Sequence, residues 1–277
     1  MSETIKTVLL LSLLTGLFLG VGYYLGGSSG AGVALIFSLL MNFFAYWYSD
    51  KIVLRMYNAK EISKAENSAI HQTVEEISEK AGIPKPKIYL VDQKAPNAFA
   101  TGRNPKNGAL AVTTGLLDIL DDAEVKGVLS HEIAHIKNRD TLISTLAATF
   151  AGALAFIAQT AYNGALFGGR DRNRNPIGLV LMVVFVPLAA TIVRLAISRS
   201  REFAADRTGA MTIEETKGLA SALVKISDAS RRVHLKGNTA TSHMFIVNPF
   251  SGDFLISLLS THPSTEARIK SLKSLKI

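Results

Sequence analysis

Charge disappears from four stretches of this chain. Residues 7–25 (TVLLLSLLTGLFLGVGYYL, 19 residues) and 31–48 (18 residues, closing on Tyr46, Trp47 and Tyr48) are almost wholly apolar. Residues 141–169 carry no charge over 29 positions but are diluted by Ala, Thr, Gly and Gln159, and residues 176–193 run for 18 with Pro187 inside. About 20 apolar residues cross a bilayer core as a helix, and the aromatic trio fits an interface belt. The pattern predicts four hydrophobic helices. The last two also fit a buried hairpin in a soluble domain. A cleaved signal peptide fits the first poorly, because no clear small-x-small site precedes a mature domain and a second span follows almost at once.

Between the spans the periodicity changes. In 60–82, Ile62, Ala69, Ile70, Val74 and Ile77 recur at helical spacing, and Gly82 with Pro84 ends the pattern. Residues 87–91, 98–101 and 109–113 read as strands, the last two joined by a turn through Asn104-Pro-Lys-Asn-Gly108. The edge of that small sheet can accept a guest peptide by strand addition, or it is simply blunted by Lys and Pro. Asp121 and Glu124 form a capping-box pattern that opens a helix running to about Arg139.

The 277 residues are 48% hydrophobic and 19% charged, with a formal charge of +8. Lys and Arg concentrate in 49–140 and 194–277, with 13 in each, while the turn between the first two spans holds none. The positive-inside rule places both basic segments and the N-terminus in the cytoplasm. Arg170, Arg172 and Arg174 run against that assignment. Topology thus accounts for the charge, and no basic-aromatic nucleic-acid module is present. No charged residue interrupts the spans, so an ion pathway has no groups to use. The absence of cysteine excludes disulfides, thiolate metal ligands and a cysteine nucleophile.

The chemistry concentrates in Ser130-His-Glu-Ile-Ala-His-Ile-Lys-Asn-Arg139, which spends two of the six histidines four residues apart. On a helix, His131 and His135 share a face and can address one ion. Glu132, one step on, reaches the same side without taking a ligand position and can accept a proton from an attacking water. The competing view is a solvated helix face. Ser198-Arg-Ser-Arg-Glu-Phe-Ala-Ala-Asp206 offers Glu202 as a third ligand. Asp206, on the same face, would hold the far nitrogen of a ligand histidine. The same residues also suit surface ion pairs with Arg199, Arg201 and Arg207. His262, with Pro263 at a favourable first helical position, is either a structural helix start or a donor to a developing oxyanion. His71 reads as part of an exposed helix face.

With these residues in view the chain resembles the HtpX family of bacterial and archaeal membrane-embedded zinc endopeptidases, of the gluzincin class. The likeness runs through PNAFATGR, VTTGLL, SHEIAHIKNRD, the hydrophobic hairpin, SRSREFAAD, SHMFIVNPF and THPSTEARI. It implies an α+β, mainly helical fold: four transmembrane helices plus a gluzincin-type zinc metalloprotease domain with a small β-sheet. The expected organisation is 1–50 as an N-terminal transmembrane hairpin and 51–140 as the first catalytic part. Residues 141–197 form a second hydrophobic hairpin, and 198–277 the second catalytic part. The resemblance implies one zinc held by His131, His135 and Glu202, with Glu132 as base. It places Asp206 and Arg268 in bracing roles and His262 on the oxyanion side. Asn97, Ala98, Phe99 and Ala100 hold substrate backbone. It further implies protein substrates, among them damaged or misfolded membrane proteins, in the cytoplasmic membrane under stress. The rival from another class is a catalytically silent membrane scaffold with a structural zinc. A prenyl-protein peptidase would be expected to have more spans.

Overall fold

The computed structural model describes residues 3–146, 199–232, 246 and 263–277. The first two apolar stretches form α1 (Glu3–Met56), which is two helical limbs broken at Gly26 and Gly27. Gly27 takes φ 59° and ψ −144°, a conformation that residues with a Cβ avoid, and the chain reverses there. The limbs lie antiparallel. Asn42 donates from Nδ2 to Thr15 Oγ1 at 2.9 Å, Phe18 meets Phe37 edge-on at 5.5 Å, and a Cβ on Gly22 would lie 2.5 Å from Ala34 Cβ. Outward side chains stay apolar and uncovered, with Val33 71% and Ile36 64% exposed. Such a surface suits lipid rather than water. Among the described residues one helical segment, Gly26–Tyr48, is long and apolar enough to cross a membrane; Thr7–Tyr23 is apolar but shorter. The four expected spans are therefore represented here by one of full length. The rest of the third and the whole of the fourth fall on 147–198, outside the described residues.

Past the span, α1 leads into a four-stranded sheet: β1 (Lys60–Glu61), β2 (Lys87–Val91), β3 (Ala98–Thr101) and β4 (Ala109–Thr113), ordered β1-β2-β4-β3. The β2–β4 pair is parallel and the other two are antiparallel. Alternation along each strand divides two cores. Val91, Phe99, Ala109 and Ala111 pack against Val53, Leu54 and Tyr57 of the α1 end. Ile88, Ala98, Leu110 and Val112 face the helices.

Those helices are α2 (Ser68–Ala81), α3 (Thr114–Ile119), α4 (Asp122–Lys137), α5 (Arg199–Ile213), α6 (Lys217–Arg232) and α7 (Thr265–Lys273). The three predicted strands form at their expected positions. The helix expected over 60–82 starts only at Ser68, because the Asn67 side chain caps it by accepting from Ile70 N–H at 3.1 Å, while Lys60 and Glu61 pair with β2. The last helix also begins later than expected. Ser264 is its cap and Pro263 precedes it, so Pro263 does not occupy the first helical position. His71 is half-buried, not exposed, and its Nε2 lies 3.0 Å from Ile62 O.

Candidate metal centre

The capping box predicted for α4 is present: Glu124 N–H donates to Asp121 and Asp121 N–H to Glu124, each at 2.9 Å. Buried Glu124 also accepts from Ser221 at 2.6 Å and Lys225 at 2.7 Å, which ties the start of α4 to α6. The helix then carries His131, Glu132 and His135 inward. Opposite, α5 comes in close: a Cβ on Gly209 would lie 2.9–3.0 Å from the Ser130 and His131 backbone. That approach brings Glu202 and Asp206 to the histidines.

Ligand-type atoms of His131, His135 and Glu202 all lie within 4.8 Å of one another. The two Nε2 atoms are 3.2 Å apart, and Glu202 oxygens stand 3.7 Å from that of His131 and 3.6 Å from that of His135. Ligands around a zinc at about 2.0–2.1 Å in tetrahedral array lie about 3.3 Å from each other. The donor chemistry fits as well. His131 Nδ1 is 2.9 Å from Asp206 Oδ1, and His135 Nδ1 is 3.1 Å from Asp140 Oδ2. Each carboxylate claims the Nδ1–H, so both Nε2 lone pairs face one another and call for a cation between them.

Charge around the cluster is bound up in one network. Arg268, 1% exposed, forks onto Asp206 with Nε to Oδ2 at 2.9 Å and Nη2 to Oδ1 at 2.7 Å. Its Nη2 also lies 3.3–3.4 Å from both ring nitrogens of His131, and its Nη1 is 3.6 Å from Glu202. Burial pushes Asp206 up, but the Arg268 charge and the His131 bond outweigh it and hold the carboxyl down at about 2. Burial pulls His135 down, yet the Asp140 bond and the Glu202 and Glu132 charges raise it to about 9. A proton there stands where a cation would. Glu132 is raised chiefly by burial, against the pull of His131 and His135.

Glu132 also accepts from the Ala100 backbone N–H. Thr113 N–H donates to Asn97 O at 2.9 Å, so the alternation of an antiparallel ladder turns the N–H and C=O of Ala98 and Ala100 away from β4. Among the described residues this edge of the sheet has no partner strand, and it faces α4. The four residues expected to hold substrate divide by this geometry. Ala98 and Ala100 offer backbone. Phe99 points to the opposite face, its ring 5.1 Å from Tyr57. The Asn97 Oδ1 accepts from Ile246 N–H at 3.0 Å, while Arg268 Nη1 donates to Ile246 O at 3.1 Å. His262 lies outside the described residues. Asp140 is the site residue that sequence reasoning missed. Arg139 turns the chain at a left-handed φ of 63°, and Asp140 thereby swings back onto His135.

Residues 64–276 match the family model described as Peptidase family M48. A "Protease HtpX homolog" of Persephonella marina is 51% identical, over 98% of this chain and 96% of that protein. One from Pyrococcus furiosus is 50% identical over 98% and 95%, and one from Sulfurihydrogenibium is 49% identical over 99% and 97%. Among solved structures, the crystal structure of S. mikatae Ste24p superposes with a TM-score of 0.52 at 17% identity, over 98% of this chain and 65% of that one. At that identity the likeness concerns the fold.

Proposed function

The chain belongs to peptidase family M48, and from that premise we propose that it is a membrane-bound zinc endopeptidase hydrolysing peptide bonds of misfolded or damaged membrane proteins. Quality control under stress in a bacterial or archaeal cytoplasmic membrane is its role in this reading, with the catalytic parts facing the cytoplasm. Residues 1–50 form the first membrane hairpin and 141–197 the second, while 51–140 and 198–277 together build the catalytic domain. The observation that carries the reading is the convergence of two carboxylate-braced imidazoles and Glu202 on one point.

His131, His135 and Glu202 would hold one zinc, which when bound supplies Lewis acidity to a scissile carbonyl and lowers the pKa of water. The chain's own residues do the rest. Ala98 and Ala100 take the substrate backbone as an added strand. Glu132 removes the proton from the attacking water and returns it to the departing amine. Asp206 and Asp140 fix the histidine tautomers, and Arg268 keeps Asp206 ionised and in place. His262 remains assigned to the oxyanion side by resemblance.

Purification in detergent under chelation, zinc add-back and casein cleavage test the proposal. Zinc should restore cleavage to the original chain and not to the Glu132→Gln variant, with both binding one equivalent. Cleavage by a zinc-loaded, contaminant-free Glu132→Gln protein would remove Glu132 from the mechanism. Full zinc binding without cleavage by the unaltered chain would favour the silent scaffold.

A further inference from the structure

The apolar segment Gly26–Tyr48 ends on Trp47 and Tyr48, each 43% exposed. Cations stand on both rings. Lys51 Nζ lies 5.2 Å from the Tyr48 centroid, and Arg103 Cζ lies 4.4 Å from that of Trp47. Aromatic rings with cations at the end of an apolar span mark the headgroup level of a bilayer. Lys51 belongs to the same helix. Arg103 does not: it comes from the loop that follows β3, the strand whose outer edge faces Glu132.

Two further connections make this junction stiff. The helix does not stop at Tyr48 but runs on to Met56, and its last turns bury Val53 and Leu54 against the sheet. Tyr57 then packs on Phe99 in β3 itself. The edge strand is thus seated directly on the emerging membrane helix, with no flexible linker between them. Ala100, whose N–H reaches Glu132, is three residues from Arg103. Ala100 thus lies between Phe99, seated on Tyr57 about 15 Å of helical rise beyond Trp47, and Arg103, whose guanidinium rests on Trp47, which puts it about 10 Å above the level of that ring.

We propose that this junction holds the peptidase site at a fixed height of about 10 Å above the membrane surface, and that the preferred substrates are extended segments of membrane proteins emerging close to the bilayer. The inference rests on the proteolytic reading above and narrows its substrate class. A substrate anchored by its own span needs about three extended residues to reach the outer edge of β3. Shorter stems cannot reach. Longer ones present the scissile bond at a local concentration that falls as roughly the −3/2 power of stem length. A damaged membrane protein that loses structure just outside its span meets these requirements, whereas an unfolded tail far from the membrane meets them less well.

The test uses the full zinc-loaded chain in liposomes containing phosphatidylglycerol, with single-span reporters. Each reporter carries one cleavable segment on an unstructured stem of about 1, 4 or 20 residues; a free peptide of the same sequence reports activity that does not depend on position. The stem of about 4 residues should be cut about tenfold faster than that of about 20, and the stem of about 1 hardly at all. Equal rates on all three, with the free peptide cleaved, would overturn the inference alone. An uncleaved free peptide would overturn the proteolytic reading and the inference with it. A second readout needs no activity. Because the chain has no cysteine, a nitroxide on Asn107→Cys gives a single label. Asn107 Oδ1 is 3.5 Å from Arg103 Nη2, so the label should report headgroup depth. A label as accessible to water-soluble relaxants as one on a free peptide would overturn the fixed height.

Discussion

At the scale of single residues, the site is a set of atoms held in one protonation state by their neighbours. Asp140 illustrates how. Its Oδ2 lies 3.1 Å from His135 Nδ1, which leaves Nε2 as a lone pair aimed at the metal position. Asp140→Asn keeps the size but can present its amide N–H₂ to that nitrogen and favour the wrong tautomer. Zinc affinity should fall about 10- to 100-fold, measured by competition with a chelator. Glu132→Gln should leave that affinity intact and lower turnover by at least about 100-fold. The two variants therefore separate holding the ion from moving the proton. His131, Glu132 and His135 were readable from spacing alone, because four residues apart on a helix means one face. Asp140 was not, since its position depends on a single left-handed residue, Arg139, and periodicity says nothing about how a chain turns once a helix has ended. An aspartate five residues past the second histidine was the available signal.

At the scale of elements, the centre exists because α5 and α6 both approach α4 more closely than side chains allow. Gly209 faces the backbone of Ser130 and His131, and Gly127 faces Leu219 N, where a Cβ would lie 2.4 Å away. Gly209→Ala should therefore force α5 away from α4, at about 1–3 kcal/mol in thermal unfolding, and weaken zinc binding by carrying Glu202 with it. The Arg268–Asp206 fork joins α7 to α5 and makes stability depend on pH. Asp206 lies near 2 against an ordinary 3.8. Its contribution is complete above about pH 4 and is lost as pH falls through about 2, with a full value of about 2 kcal/mol. Melting temperature in detergent should drop across that window, and Asp206→Asn should flatten the drop at a lower overall stability. The strands were legible because apolar runs bounded by Pro, Asn and Gly have few other readings. The helix α6 was passed over, although Leu219, Ala222, Leu223 and Ile226 keep helical spacing and are all buried. That stretch is polar on average, and its apolar stripe gains meaning only once α4 is there to cover it.

At the scale of the whole molecule, the second limb of the apolar α1 hairpin runs without a break into the body of sheet and helices that carries the His131–His135–Glu202 cluster. The proposed topology puts the hairpin turn at Gly26 and Gly27 on the far side of the bilayer from the sheet. In the cysteine-free chain, Ser28→Cys should react with an impermeant maleimide from outside the cell, and Asn107→Cys only after lysis. The reverse pattern would invert the orientation. The uneven spread of Lys and Arg is the sequence signal for that orientation, and the labelling pattern is its test. The proposed centre is more local than topology: His131, His135 and Glu202 would hold a single divalent ion and leave a position for solvent. Zinc-edge X-ray absorption of the purified full chain tests it most directly. The expected spectrum has one ion per chain, two imidazole nitrogens and oxygen donors at about 2.0–2.1 Å, with a carboxylate oxygen lost in Glu202→Ala. A spectrum that Glu202→Ala leaves unchanged, or one with four protein ligands and no solvent position, would contradict the account.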